Sequence, residues 1–543
     1  MQIKTKMANL KAETFIQDYL TLCGVKNITE YLNPTISAVQ NIMLYKNIDK
    51  ACETAYGFIR RNQKIGILVD EDVDGVCSAA MLYLFLDFLK VNVKPFFHVV
   101  SKSHGISANS EIKNQIQNID LLIIPDGSID KLSAKEFNDK NITIIELDHH
   151  ITKERENVIT VNCNYQNETN HHACGTLVTY KFIQGLCEMF SMEYPNYSDF
   201  ISLATVADVM DMTEIENRYY TKYFYDTYNN YAYNPFIVSL VERFNRNYSP
   251  NIENIGWKIA PPLNAVFRFG TREEIQNMFY AFIGTKDNRE ILNEIFKIKK
   301  RQNSTVAQVV RVLKENIVNT HKGIFVFIKP EHKSLSGLIA NKLMSKYNKP
   351  AFVLRDNGDT YSGSMRSPFD LRTTINNSKL ATASGHEQAC GIILYKENYN
   401  KFIDFIDSLD GLANETIYDV TANIELNDVT LRLAENIEKG KNFWGQGIEK
   451  PIFYISLSNP EITVYRKKTN TIKIGKNGIS FLLFFAKEDD IETLTNEDNI
   501  VVNLICELEV NEYNGIKTPM GIIKKYEAIQ KEKPKINWDE IFK

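Results

Sequence analysis

Ile65-Gly66-Ile67-Leu68-Val69-Asp70-Glu71-Asp72-Val73-Asp74-Gly75 joins a short apolar run to a loop carrying three carboxylates at alternate positions. Two later runs repeat the arrangement. Leu121–Ile124 leads into Pro125-Asp126-Gly127, and Ile142–Ile145 leads into Leu147-Asp148-His149-His150. Continuous apolar runs of this length, separated by helix-length segments at Val76–Leu89 and Ile112–Ile119, predict buried parallel strands of an α/β sheet. Each run delivers acids or imidazoles just past its C-terminal end, where open α/β sheets place their ligand crevice. Gly75 lets the first loop turn sharply.

Working outward, a helix is expected over Phe200–Asp211, with Asp208 on its otherwise apolar face. Residues 285–318 are charged and amphipathic without Gly or Pro, and predict one long connector helix. A second α/β region starts at Gly323–Ile328, with a helix near Ser336–Tyr347 and a strand at Pro350–Leu354. From about residue 415 short β-rich runs dominate and suggest a small barrel. The expected fold class is therefore α/β. It comprises an N-terminal helical segment (1–60), a parallel-sheet domain (61–284), the connector helix (285–319), a smaller α/β domain (320–412) and a C-terminal β-barrel (413–543).

The 543 residues suit about three domains. At 44% hydrophobic and 24% charged, the chain is expected to be soluble and globular rather than disordered. A formal net charge of −4 excludes a uniformly basic nucleic-acid coat, so any grip on DNA or RNA must be local. No signal-peptide core stands at the N-terminus, and Val76–Leu86 is too short an apolar stretch to span a bilayer. The eight cysteines form no Cys-x-x-Cys pair. The expectation is a reduced, cytoplasmic protein with buried thiols and no membrane contact.

Oxygen-rich clusters such as Asp70-x-Asp72-x-Asp74 hold hard divalent ions. The bland alternatives are a solvated acidic loop or a calcium-type loop. The latter is opposed by the absence of a Glu at its bidentate position. Joined to Asp126, the Asp148-His149-His150 triplet and Asp208, the cluster reads as a two-metal site with carboxylate and imidazole ligands.

These four motifs resemble those of the DHH phosphoesterase superfamily. Further segments resemble the RecJ-like single-stranded-DNA-specific exonucleases and their DHH-associated domain: Pro262–Ala265 with Arg268, His332 with Gly337–Ala340, Gly363–Ser367, and Ser384-Gly385-His386 through Gly391. Phe443–Pro451 and Asn511–Gly515 resemble their OB-type domain. The resemblance runs in order from about Tyr31 to Tyr526. It implies that Asp72, Asp74, Asp126, His149 and Asp208 ligate two divalent cations, Mn²⁺ or Mg²⁺, with Asp126 bridging. His150 would orient or protonate at the scissile phosphate, and Asp148 would orient the histidines. Leu68 stands where many members carry a metal-binding His, which leaves Asp70 to complete the first metal's shell. Asp126-Gly127-Ser128 replaces the usual Asp-Asn-Gly, and Ser384-Gly385 a glycine doublet.

The implied activity is 5′-to-3′ hydrolysis of single-stranded DNA in repair or recombination. Arg268, Ser364 and Arg366 would hold the 5′ phosphate, beside Gly385 and His386. Single-stranded DNA is the implied partner, together with a single-stranded-DNA-binding protein or a helicase, and the chain is expected to be a monomer. The rivals are a phosphodiesterase for short oligoribonucleotides or cyclic dinucleotides, and a non-catalytic replication scaffold. The C-terminal region opposes the first, because a tiny substrate needs no third binding domain. The retained acids oppose the second, because clustered like charges are costly without a cation.

Other residues read as structural. His171-His172 precede a helix start, and His98 reads as a satisfied strand residue. The aromatic run Tyr219–Tyr233 reads as helix packing, and Lys297–Arg301 as a charged helix face. His104-Gly105 lies where the family has a loop near its site.

Overall fold

The computed structural model describes residues 1–8, 10–98, 105–108, 110–244, 250–313, 317–409, 417–495 and 500–530. The first strand, β1 (Gln2–Thr5), lies in a segment whose sequence reads as helical. It pairs in parallel with Ile417–Val420. That partner is some four hundred residues away, so local periodicity could not reveal it.

The central sheet has five parallel strands: β2 (Ile65–Val69), β3 (Val93–Phe97), β4 (Leu121–Pro125), β5 (Thr143–Asp148) and β6 (Ile159–Asn162). Their order is β3-β2-β4-β5-β6. All residues of β2 and β4 are buried, as unbroken Ile/Leu/Val runs require when helices cover both faces. The helix after β2 covers Val73–Phe88. Asp72 caps it, accepting a hydrogen bond from the Gly75 amide. It packs against a second buried helix, Gly175–Phe190.

Two expected helices differ. Only a short 3-10 turn, Glu111–Asn114, forms within Ile112–Ile119. Asn118 takes φ 60, which a right-handed helix cannot continue through, while Ile112, Ile116 and Ile119 are buried. The Phe200–Asp211 helix runs instead over Ser198–Ala207. Asp208 is its C-cap, and Val209 turns the chain with φ 59. Asp208 thus leaves the helix rather than sitting on its face.

The connector helix spans Asn288–Leu313, 26 residues. It leads to a six-stranded sheet in which Ile324–Phe327 and Ala351–Asp356 are parallel and Thr360–Arg366 pairs antiparallel to two neighbours. The helix Ser336–Tyr347 packs on it. The C-terminal strands form a seven-stranded sheet dominated by a long hairpin, Ile500–Tyr513 with Ile516–Gln530. This sheet shares one apolar core with the first domain. Phe15 meets Phe453 at 5.9 Å between ring centroids, Tyr19 meets Trp444 at 5.8 Å, and Tyr31 meets Phe443 at 6.1 Å. Among the described residues, no helix is long and apolar enough to cross a membrane.

Candidate metal centre and phosphate cleft

The C-terminal ends of β2, β4 and β5 bring Asp74, Asp126 and His149 together. Both carboxylate oxygens of Asp74 are held at the start of the Gly175–Phe190 helix. The Gly175 amide donates to Oδ2 (2.6 Å), and the Thr176 amide and hydroxyl donate to Oδ1 (2.7 and 2.6 Å). The positive end of the helix dipole favours the anion there. Asp126 follows β4 with φ 55, its amide donating to the Leu147 carbonyl (2.7 Å). Asx residues tolerate this left-handed conformation best after Gly.

His149 Nε2 lies 3.2 Å from Asp126 Oδ1, 3.5 Å from Asp208 Oδ2 and 3.8 Å from Asp74 Oδ2. Two triads of ligand atoms result: Asp126 with His149 and His150, and Asp74 with His149 and Asp208, each within 4.8 Å. Burial lowers the pKa of His149 below its usual value, against the opposing pull of Asp74, and so favours the neutral imidazole that metals bind. Asp126 is pushed well above the carboxylate range, first by burial and then by Asp74, Asp72, Asp208 and Asp70. Its Oδ1 is buried and accepts no hydrogen bond from the described residues.

A buried carboxylate oxygen without a hydrogen-bond donor among the described residues, set among other acids, fits a divalent cation. Gly175 is part of this fit, since a Cβ there would stand 2.4 Å from Asp126 Oδ1. The centre opens to solvent on one side, where His150 and Asp208 are exposed by 51% and 34%.

Asp148 is buried and organises the triplet. Its Oδ1 accepts from the His149 amide (2.9 Å), the His150 amide (3.2 Å) and, taken as donor, His150 Nδ1 (2.8 Å). Asn162 and Asn164, at the end of β6 and just past it, donate to the carbonyls of His150 (2.9 Å) and His149 (2.6 Å). Asp70 and Asp72 stand beside the triads rather than in them. Asp72 caps its helix, and Asp70 Oδ1 lies 3.0 Å from His98 Nε2.

Of the expected phosphate-holding residues, Arg268 and Arg366 come within electrostatic reach of each other. Withdrawal from water lowers the pKa of Arg366, and the Arg268 charge lowers it further. Arg268 is lowered by the same withdrawal, with Asp72 acting to keep it charged. Lys299 of the connector helix is lowered by burial and by Arg268, and donates to Gln302 (2.9 Å). Ser364 Oγ lies 2.8 Å from Ser336 Oγ, at the start of the Ser336–Tyr347 helix. There Gly337 leaves room for Arg366: a Cβ would stand 2.8 Å from its Nη2. Strand register sets Arg366, Ala389 and His386 in one row. Gly385 takes φ 118, and its carbonyl accepts from Arg372 (2.8 Å). The His386 side chain and the whole of His104 lie outside the described residues.

His98, read from the sequence as a satisfied strand residue, is satisfied by Asp70, and Lys299, read as part of a charged helix face, is half-withdrawn from water beside Arg268. Asn162 and Asn164 escape the sequence reading, although they stand at and just past the C-terminal end of β6, where the rule that found the acids also applies. The remaining candidates stay peripheral. His171 Nδ1 lies 3.3 Å from Asn164 Oδ1 on the surface. The Tyr219–Tyr233 rings pack on one another, as in the 4.9 Å contact of Phe224 with Tyr233.

A five-stranded parallel sheet ending in this acid–imidazole cluster defines a DHH-type domain, and residues 64–208 match the DHH family, N-terminal domain. Residues 420–525 match the RecJ OB domain, so the two matches lie in the order in which the sequence motifs occur. Its relatives include a Bacillus subtilis protein whose name, still provisional, is SPbeta prophage-derived single-strand DNA-specific exonuclease YorK. The two are 25% identical over 93% of this chain and 95% of the relative. Escherichia coli single-stranded-DNA-specific exonuclease RecJ is 22% identical over 92% of this chain and 93% of its own. RecJ of Thermus thermophilus, solved in complex with Mn²⁺, shares the fold with a TM-score of 0.75. That match is 18% identical and covers 94% of this chain and 75% of the other.

Proposed function

We propose that this chain is a metal-dependent single-strand DNA exonuclease that hydrolyses phosphodiester bonds from the 5′ end, in DNA repair or recombination. The observation that carries the reading is the buried Asp126 Oδ1, 3.2 Å from His149 Nε2, with cationic Arg268 electrostatically coupled to neighbouring Asp72. Acids that invite cations lie within electrostatic reach of an arginine that invites phosphate. The RecJ relatives, named as single-stranded-DNA-specific exonucleases, support the substrate.

Asp74, Asp126, His149 and Asp208 would hold two divalent cations, Mn²⁺ or Mg²⁺, with Asp70 and Asp72 beside them. When bound, such a pair neutralises phosphoryl oxygens and acidifies an attacking water. Asp148 fixes the His150 ring, which would pass a proton at the scissile phosphate. Arg268, Arg366, Ser364 and Lys299 would hold the terminal phosphate, setting polarity by admitting only a strand end. We place the enzyme in the cytoplasm as a monomer working beside a single-stranded-DNA-binding protein or helicase. The domain limits proposed are those read from the sequence.

The test is digestion of 5′- and 3′-labelled single strands, DNA and RNA, with Mn²⁺ or Mg²⁺ beside an Asp126→Ala control. Early release of 5′ label that disappears in the control is the expected result. Undiminished activity of the control would remove the metal assignment. Release from the 3′ end, or preference for dinucleotides over long strands, would favour the small-substrate phosphodiesterase.

A further inference from the structure

Val209 directly follows Asp208 and takes φ 59, a conformation that β-branched residues adopt only under strain. Its side chain is 58% exposed. With Val206 and Met210 it lines one side of a cavity of about 190 Å³. Trp257, 79% exposed, lines the same cavity. It is carried by a π-helical turn, Ile255–Ile259, a geometry that re-aims side chains and is frequent at functional sites. Neighbouring Gly256 leaves the space open: a Cβ there would make only ordinary contact, 3.5 Å from Val206.

We propose that this cavity receives a nucleobase of the bound strand, stacked on Trp257. The inference rests on the single-strand reading above and adds a site to it. Continuity comes first, because the cavity begins one residue after a candidate metal ligand, so a strand whose phosphate lies at Asp208 has a base beside Val209. Size comes second. The volume is well below the roughly 300–1,000 Å³ of drug-sized pockets, and suits one flat ring system.

Charge comes third. Trp257 also borders a larger cleft reaching Phe484 of the C-terminal sheet, lined by Glu253, Glu507 and Glu509. These acids converge on Lys450 at 3.5, 2.9 and 2.6 Å. Lys450 and Lys524, which line the cleft too, are held by Glu507 and Glu509, so the face offers phosphates little and leaves the backbone to the Arg268 side. Every base has a π-face, so the platform would grip without reading sequence.

The test measures anisotropy of 5′-phosphorylated single strands on full-length protein in an Asp126→Ala background, where strands are bound but not cut. Strands carry an abasic site at each of the first four positions in turn. One abasic position should weaken binding about tenfold, in line with the worth of base–aromatic stacking. Trp257→Ala should weaken the intact strand equally and become indifferent to that position, whereas Trp257→Phe should retain the discrimination. Gly256→Leu, which fills the cavity and spares Trp257, should behave like Trp257→Ala. Unchanged discrimination in Trp257→Ala overturns the proposal while leaving the exonuclease reading intact. A parent chain that neither binds nor digests single strands overturns both.

Discussion

His98 Nε2 lies 3.0 Å from Asp70 Oδ1, and the two side chains are 1% and 0% exposed. They occupy equivalent places on neighbouring strands, each one residue past the register pair Val69–Phe97. The imidazole thus reaches the first acid of the cluster from β3, while Leu68 of β2 is buried in an apolar core.

Removing this partner from a buried carboxylate should cost about 1–3 kcal/mol. His98→Ala is expected to lower the melting temperature and weaken Mn²⁺ binding measured calorimetrically. His98→Gln, which keeps a donor, should restore most of both. Equal Mn²⁺ affinity in all three proteins would show that His98 does not orient Asp70.

Gly175→Ala sets a methyl group 2.4 Å from Asp126 Oδ1. Turning the carboxylate does not relieve this, since the methyl would also stand 2.5 Å from Asp126 Cβ, and Asp74 ties down the helix start. Overpacking of this kind costs about 1–3 kcal/mol. We expect a folded protein, by circular dichroism, that has lost most divalent-cation affinity and activity.

The pH behaviour of the metal-free chain follows from Asp126, whose pKa is raised in the folded state by burial and neighbouring acids. Its contribution to stability is fully present below the ordinary carboxylate range and is lost as pH rises through the raised value. Thermal melts without metal should therefore fall with rising pH across that interval. Saturating Mn²⁺ should remove the fall, because the cation favours the ionised form. A chelated protein whose melting temperature ignores pH there would contradict the burial of this acid.

Lys299 and Arg366 are both lowered first by burial and then by the Arg268 charge, as cations gathered to meet an anion would be. Hydrogen bonds to charged groups contribute about 1.5–3 kcal/mol. Lys299→Ala or Arg366→Ala should lower kcat/KM about ten- to hundredfold on 5′-phosphorylated strands and far less on 5′-hydroxyl strands. An equal loss on both ends would place these residues outside the phosphate grip.

The alternation of apolar runs and acids determined most of the α/β domain and nearly all of its candidate ligands, because strand burial and the C-terminal crevice are local consequences of sequence order. The run of motifs pointed to Asp70, Asp72, Asp74, Asp126, Asp148-His149-His150 and Asp208 as one cluster, and only the family resemblance implied which of them ligate. The structure gathers Asp74, Asp126, His149, His150 and Asp208, with Asp70 and Asp72 beside them. What spacing could not carry was contact across the chain. The pairing of Gln2–Thr5 with Ile417–Val420, and the single core joining Phe15 to Phe453, depend on segments hundreds of residues apart. So does the meeting of Arg268, Lys299 and Arg366 on three elements.

Helix termination at Ala207 hangs on one left-handed Val209, a strained state that no propensity favours and that packing must impose. The sequence by itself therefore determined which chemistry is present. Only the tertiary structure decided which side chains share a cleft, because burial and long-range pairing, not periodicity, set those distances.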